Sequence, residues 1–180
     1  MARVLIVAGG CRGRGLAEAL VGEGHAVRIT TRSERGRAAI EATGAECWVG
    51  TPDRLATLRG ALENVTVLCW MLATATGPPE ELDALHGSRL EFFMTQAIDT
   101  TVRGVVYEAG GARGAATGAA GAVGAATTSA SEMLAGGEAI VRSLAERNSI
   151  PVAFLTADPL DRDAWPAEAL AAVASLLSRA

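Results

Sequence analysis

The sequence predicts a doubly wound α/β fold. Six parallel strands in the order 3-2-1-4-5-6 lie between two layers of helices, a three-layer α/β/α arrangement. Three observations predict it. Runs of strand type alternate six times with segments of helix type. The strand runs are continuously apolar rather than strictly alternating, the pattern of strands covered on both faces. The first strand runs into a glycine-rich turn that opens a helix.

The elements follow in order. Strands are expected at residues 4–7, 26–30, 46–49, 65–71, 104–107 and 152–156. A first helix is expected over 13–23, and a second between Ser33 and Gly44. A third should start at Thr51-Pro52, with threonine as N-cap and proline at the first helical position. A fourth should span 79–100 with a break at Gly87. The Ser129-Ala-Ser-Glu132 spacing of a capping box should open a fifth that reaches Arg147. The last should cover 165–178. The Ala/Gly stretch 110–124 contains Arg113 and is only weakly hydrophobic, so it reads as a loop and not a membrane span. No linker or composition break divides the chain, and residues 1–180 are expected to form one domain without room for a separate substrate domain.

Composition narrows the chemistry. A net charge of −4 argues against nucleic acid as a partner. All 16 basic residues are arginine, which excludes a phosphate-loop lysine, a Schiff base and a lysine general base. Cys11, Cys47 and Cys69 have no metal-type spacing, and His25 and His86 stand apart, so no metal site is expected. The odd cysteine count and the lack of a signal-like N-terminus point to a reduced, cytoplasmic protein. A homo-oligomer is compatible with the sequence.

The first strand runs into Ala8-Gly9-Gly10-Cys11-Arg12-Gly13-Arg14-Gly15, and an apolar helix follows. Glycines there allow a tight turn and let backbone N–H groups approach a pyrophosphate, and the helix N-terminus favours the anion. This loop resembles that of the short-chain dehydrogenase/reductase superfamily, NAD(P)-binding proteins of Rossmann type. Two registers fit. Gly9, Gly13 and Gly15 match the Gly-x-x-x-Gly-x-Gly form. Gly10 and Gly13 match the Gly-x-x-Gly-x-x-Gly form of extended and atypical members, with one residue inserted. Gly9, Gly10, Cys11, Arg12 and Gly13 are therefore the phosphate-loop candidates, with Ala73 expected beside the cofactor after the fourth strand.

The second strand ends in Thr30-Thr31-Arg32-Ser33-Glu34-Arg35, with no acid where NAD binders usually hold the ribose hydroxyls. Arg32, Ser33 and Arg35 can meet a 2′-phosphate. Arg12 resembles the basic residue found in the glycine loop of NADP-preferring relatives. NADP(H) is the expected cofactor, with NAD(H) as the alternative.

The resemblance continues from Glu138 to Leu155 and implies a Tyr-x-x-x-Lys pair on the preceding helix. Ala130 and Leu134 stand at those two positions, and Ala109 or Gly110 at that of the usual serine. The whole triad is replaced by inert residues. Glu108 and Tyr107, at the end of the fifth strand, are the remaining acid/base candidates. The expected function is NADP(H) binding without the usual chemistry, as a redox sensor or scaffold. The alternative is a reductase of a small carbonyl, quinone or flavin in which the cofactor alone drives hydride transfer.

Overall fold

The structure, a computed structural model, describes residues 1–7, 10–110 and 122–179, the side chains of 122–129 excepted. Its sheet has six parallel strands in the order β3-β2-β1-β4-β5-β6. The strands are β1 (Arg3–Val7), β2 (Ala26–Thr31), β3 (Glu46–Val49), β4 (Val67–Trp70), β5 (Gly104–Glu108) and β6 (Val152–Leu155). The order reverses at β1, which pairs with β2 on one side and β4 on the other. Ligands of open α/β sheets bind at such a switch point, outside the carboxyl ends of the strands.

Helices cover both faces. On one lie α1 (Cys11–Gly22), α2 (Arg37–Glu41) and α6 (Ala164–Leu177). There Leu16, Leu20, Ile40, Trp165 and Val173 pack on Val4, Ile6, Val27, Ile29, Cys69 and Val106. On the other lie α3 (Pro79–His86), α4 (Ser88–Ile98) and α5 (Ala122–Arg147). Leu85, Phe93, Met94 and Val141 pack there on Leu5, Val7, Leu68, Trp70, Val105 and Tyr107. Successive residues of one strand thus feed opposite cores, which is why the strand runs are apolar throughout.

Three helical expectations change. No α-helix starts at Thr51-Pro52. The chain turns back at once, with Arg54 N–H donating to the Thr51 carbonyl at 2.9 Å. Two short 3-10 turns follow, Leu55–Thr57 and Arg59–Leu62. Gly60 is required in the second, because a Cβ there would lie 2.8 Å from the Trp48 ring. The second helix is reduced to a 3-10 turn, Glu34–Gly36, and the five residues of α2. The fifth starts earlier than its capping box, at Ala122, so Ser129 and Glu132 lie inside it. Alanine favours helix strongly enough to carry α5 through that pattern. Of the Ala/Gly stretch read as a loop, residues 122–124 are helical and 111–121 lie outside the described residues. The break at Gly87 occurs as expected, dividing α3 from α4.

Candidate functional site

A cleft of about 520 Å³ opens at the carboxyl ends of β1 to β4. One side is the turn between β1 and α1. Gly10 is the N-cap of α1, in ordinary extended backbone (φ −67°), and no side chain caps the helix. A Cβ on Gly10 would meet nothing within 4 Å, so this glycine answers to no neighbour among the described residues. Gly10, Cys11, Arg12 and Gly13 line the cleft. Gly13 is buried and Gly15 exposed, both in the first turns of α1. Gly9 lies outside the described residues.

The second side is the end of β2. Thr30, Thr31 and Arg32 line the cleft there. Arg32 and Arg35 are exposed, and neither has an ion-pair partner among the described residues. Ser33 is exposed and extended, its carbonyl accepting from the Thr31 hydroxyl at 3.3 Å. The nearby acid, Glu34, is engaged by Arg37 at 2.5 and 3.0 Å. Ser33 and Arg35 do not reach the cleft wall, whereas Gly50, Pro52 and Asp53 beyond β3 do. Asp53 is neutralised by Arg89 at 2.7 Å.

The third side is formed by Arg12. Its guanidinium lines the cleft and turns toward β4 and β5. It donates to the carboxylate of Glu108 as a hydrogen-bonded ion pair and to the Thr74 hydroxyl at 2.5 Å. It also lies over the Trp165 ring, 4.8 Å from the centroid. The ends of β2 and β5 are three strand spacings apart, about 14 Å, so one phosphate cannot bridge groups held at both.

Glu108 is fully buried. Besides Arg12 it accepts from the Trp165 indole N–H at 2.8 Å and from the Ala73 N–H at 2.9 Å. Burial pushes its carboxyl above the usual carboxylate range, and Arg12 and the other donors pull it back. Ala73 does not line the cleft, although Leu72 and Thr74 on either side of it do. The acid/base candidate therefore sits behind Arg12 with no face on the cleft.

Tyr107, the other acid/base candidate, is a core residue. It points to the opposite face of the sheet from Glu108 and is fully buried, and burial pushes its hydroxyl upward. The hydroxyl lies 2.8 Å from His86 Nδ1, whose Nε2 lies 3.2 Å from the Leu72 carbonyl. Burial lowers the His86 pKa and keeps the ring neutral. Nε2–H then donates to Leu72, and Nδ1 accepts from Tyr107. Gly137 is required here, since a Cβ would lie 2.1 Å from the Tyr107 oxygen. At the expected position of the catalytic lysine, Leu134 is buried and only its carbonyl approaches a polar group, the Tyr107 hydroxyl at 3.3 Å.

Trp165, Leu85 and Asp53 line the cleft without having been expected there. Of these, Asp53 carried a usable signal, as a polar residue just beyond a strand end. Among the described residues no cluster of His, Cys, Asp and Glu could hold a metal, and no helix is long and apolar enough to cross a membrane.

No family model matches the chain, and no curated protein matches it in sequence. Solved structures do resemble it. A short-chain dehydrogenase/reductase superfamily protein from Agrobacterium tumefaciens with bound NAD has a TM-score of 0.64 at 19% identity, over 99% of this chain and 62% of that one. The fold is that of the short-chain dehydrogenases/reductases. Vestitone reductase from alfalfa (Medicago sativa) shares this Rossmann fold with a TM-score of 0.64 at 16% identity, over 87% of this chain and 56% of that one. Triphenylmethane reductase from Citrobacter sp., complexed with NADP(H), has a TM-score of 0.60 at 17% identity, over 85% of this chain and 48% of that one. The chain thus spans about half to three fifths of the length of these structures.

Proposed function

We propose that this chain binds NADP(H) in the cleft at the switch point and does so without Tyr-Lys chemistry, as a sensor or scaffold. One observation carries the reading. The uncapped N-terminus of α1, with open space at Gly10, and Arg32, which has no ionic partner among the described residues, line the same cleft. Their chemistry fits the two phosphate groups of NADP(H): backbone N–H groups and a helix dipole for the pyrophosphate, a guanidinium for the 2′-phosphate. The bound NAD and NADP(H) of two similar structures support a nicotinamide dinucleotide. Arg32 supports NADP(H) over NAD(H), since an acid that would hold the 2′-hydroxyl is missing from the cleft wall at the end of β2.

Bound cofactor would supply hydride chemistry, but neither acid/base candidate faces the cleft among the described residues. Glu108 is enclosed, Tyr107 faces the other core, and lysine is absent from the chain. Calorimetric titration with NADPH and NADH tests the reading. It expects saturable binding of NADPH, tighter than that of NADH. Equal affinity for the two would remove the role of Arg32, and no binding of either would remove the reading.

A further inference from the structure

Glu108 and His86 reach one peptide group from opposite faces of the sheet. The segment between β4 and α3 is neither strand nor helix, yet its residues Leu72, Thr74, Ala75 and Thr76 line the cleft. The Leu72 carbonyl and the Ala73 N–H belong to the same peptide bond. The Ala73 N–H donates to Glu108 at 2.9 Å. The Leu72 carbonyl accepts from His86 Nε2 at 3.2 Å and from the Ala75 N–H at 2.9 Å, which closes a turn over Leu72–Ala75. We infer that Glu108 and His86 are positioning residues, a clamp on the Leu72–Ala73 peptide that sets this stretch of cleft wall for the dinucleotide. This rests on the NADP(H) reading above.

The C=O and N–H of a peptide point opposite ways, so one side chain cannot hold both. Here each holder is anchored separately. Glu108 ends β5 and shares its carboxylate with Arg12 and Trp165. His86 ends α3 and is itself held by the Tyr107 hydroxyl at 2.8 Å. That bond fixes the tautomer, because Nδ1 accepts from Tyr107 and the ring proton stays on Nε2, toward Leu72. Both holders are buried, where a polar side chain is costly unless its hydrogen bonds are made. Both depend on the last two residues of β5, so the strand end dictates the form of the loop beside it. The turn and His86 together use both lone pairs of the Leu72 carbonyl. Without the His86 donor the peptide is free to tilt, and the Leu72 and Thr74 side chains on either side of it move along the cleft wall. Arg12, which donates to the Thr74 hydroxyl at 2.5 Å, holds a side chain of the turn but not its backbone.

Two substitutions of similar polarity separate this role from bulk stability. His86→Gln keeps an N–H donor at the reach of Nε2. His86→Asn reaches only as far as Nδ1 and loses the donor to Leu72. Amide hydrogen exchange of Ala73, read by nuclear magnetic resonance on the full chain, is taken relative to that of Val106, which is buried in the core. This ratio should rise about tenfold in His86→Asn and stay within about threefold of the wild type in His86→Gln. The affinity for NADPH, by calorimetry, should follow, falling about tenfold in His86→Asn and under about threefold in His86→Gln. Should His86→Asn not fold, Tyr107→Phe serves instead. It removes the hydroxyl that fixes the tautomer, and the same two changes are expected. Equal exchange ratios and equal affinities in the two His86 variants would overturn the inference. Faster Ala73 exchange with unchanged NADPH affinity would overturn the role of the clamp at the cleft and leave the NADP(H) reading standing. A wild type that does not bind NADPH would overturn that reading, and the exchange ratio alone would then decide the clamp.

Discussion

Arg32 and Arg12 are the same side chain in two situations on one cleft. Arg32, at the end of β2, is exposed and has no ionic partner among the described residues. Arg12, at the start of α1, retains 27% of its side-chain surface and is committed to a carboxylate, a hydroxyl and an indole. A guanidinium open to solvent is available to a phosphate. One paired with a buried carboxylate is part of the protein's own electrostatics, and removing either partner is costly. The guanidinium at the end of β2 is thus open to an anion, while the one at β5 is held by the fold's own carboxylate.

Substitutions can break that comparison. The largest effect is expected at Trp165, which is 1% exposed and both stacks on Arg12 and donates to Glu108. Trp165→Ala should lower stability by about 3–5 kcal/mol in denaturant titration. A loss under 1 kcal/mol would mean that the cluster around Arg12 is not holding the fold.

Next is Glu108. Glu108→Ala leaves Arg12 and the N–H groups of Trp165 and Ala73 without their acceptor and should cost about 3 kcal/mol. Glu108→Gln should cost less, because its amide oxygen still accepts hydrogen bonds from the surrounding donors. Burial raises the carboxyl's pKa above its ordinary 4.5, so the native state holds its proton more tightly than the unfolded chain. Its contribution is complete below pH 4.5 and is lost as pH rises from there through the raised folded value. Stability measured from about pH 4 to 7 should show this decline in the wild type and a flatter profile in Glu108→Gln. Identical profiles would assign the decline to other groups.

Arg32→Ala tests the open guanidinium. Charge-assisted contacts to a phosphate contribute roughly 1.5–3 kcal/mol, so NADPH affinity should fall about ten- to a hundredfold while that of NADH barely moves. The melting profile should shift by no more than about 0.5 kcal/mol. A destabilised Arg32→Ala would erase the contrast with Arg12.

The smallest expected effect is that of Gly10→Ala. Its backbone is in a region any residue adopts, and no described neighbour lies within 4 Å of the added methyl. Stability should change by under about 1 kcal/mol, and NADPH should bind more weakly because the methyl occupies the approach to the α1 N–H groups. Undiminished binding would move the pyrophosphate away from this helix.

The strands were most legible where both faces are buried, as in β1, β4 and β5, whose apolar runs say so directly. The break at Gly87 was legible for its own reason, a glycine inside a helical pattern. The turn after β3 was not. Thr51-Pro52 carries the chemistry of a helix start, but Trp48 and Gly60 draw the chain into 3-10 turns through contacts that no local pattern announces. At the site, Gly10, Gly13 and Arg32 were legible because loop and strand end are contiguous in sequence. The Arg12–Glu108 pair spans 96 residues and the Trp165–Glu108 bond 57, so only the fold brings them together. Glu108 was the stronger acid/base candidate and Tyr107 the one expected in the core. Which of two adjacent residues faces α1 and α6, and which faces α3 and α5, depends on the register of β5 in the sheet.

Cys11, the first residue of α1 on the cleft wall, is exposed, whereas Cys47 and Cys69 are buried. A maleimide dye added to the folded protein should therefore attach at one place, beside the glycine turn. The untouched native chain thus carries its own attachment point for an optical reporter. Protection of that thiol by a titrated nucleotide would read occupancy of the cleft without any engineered residue.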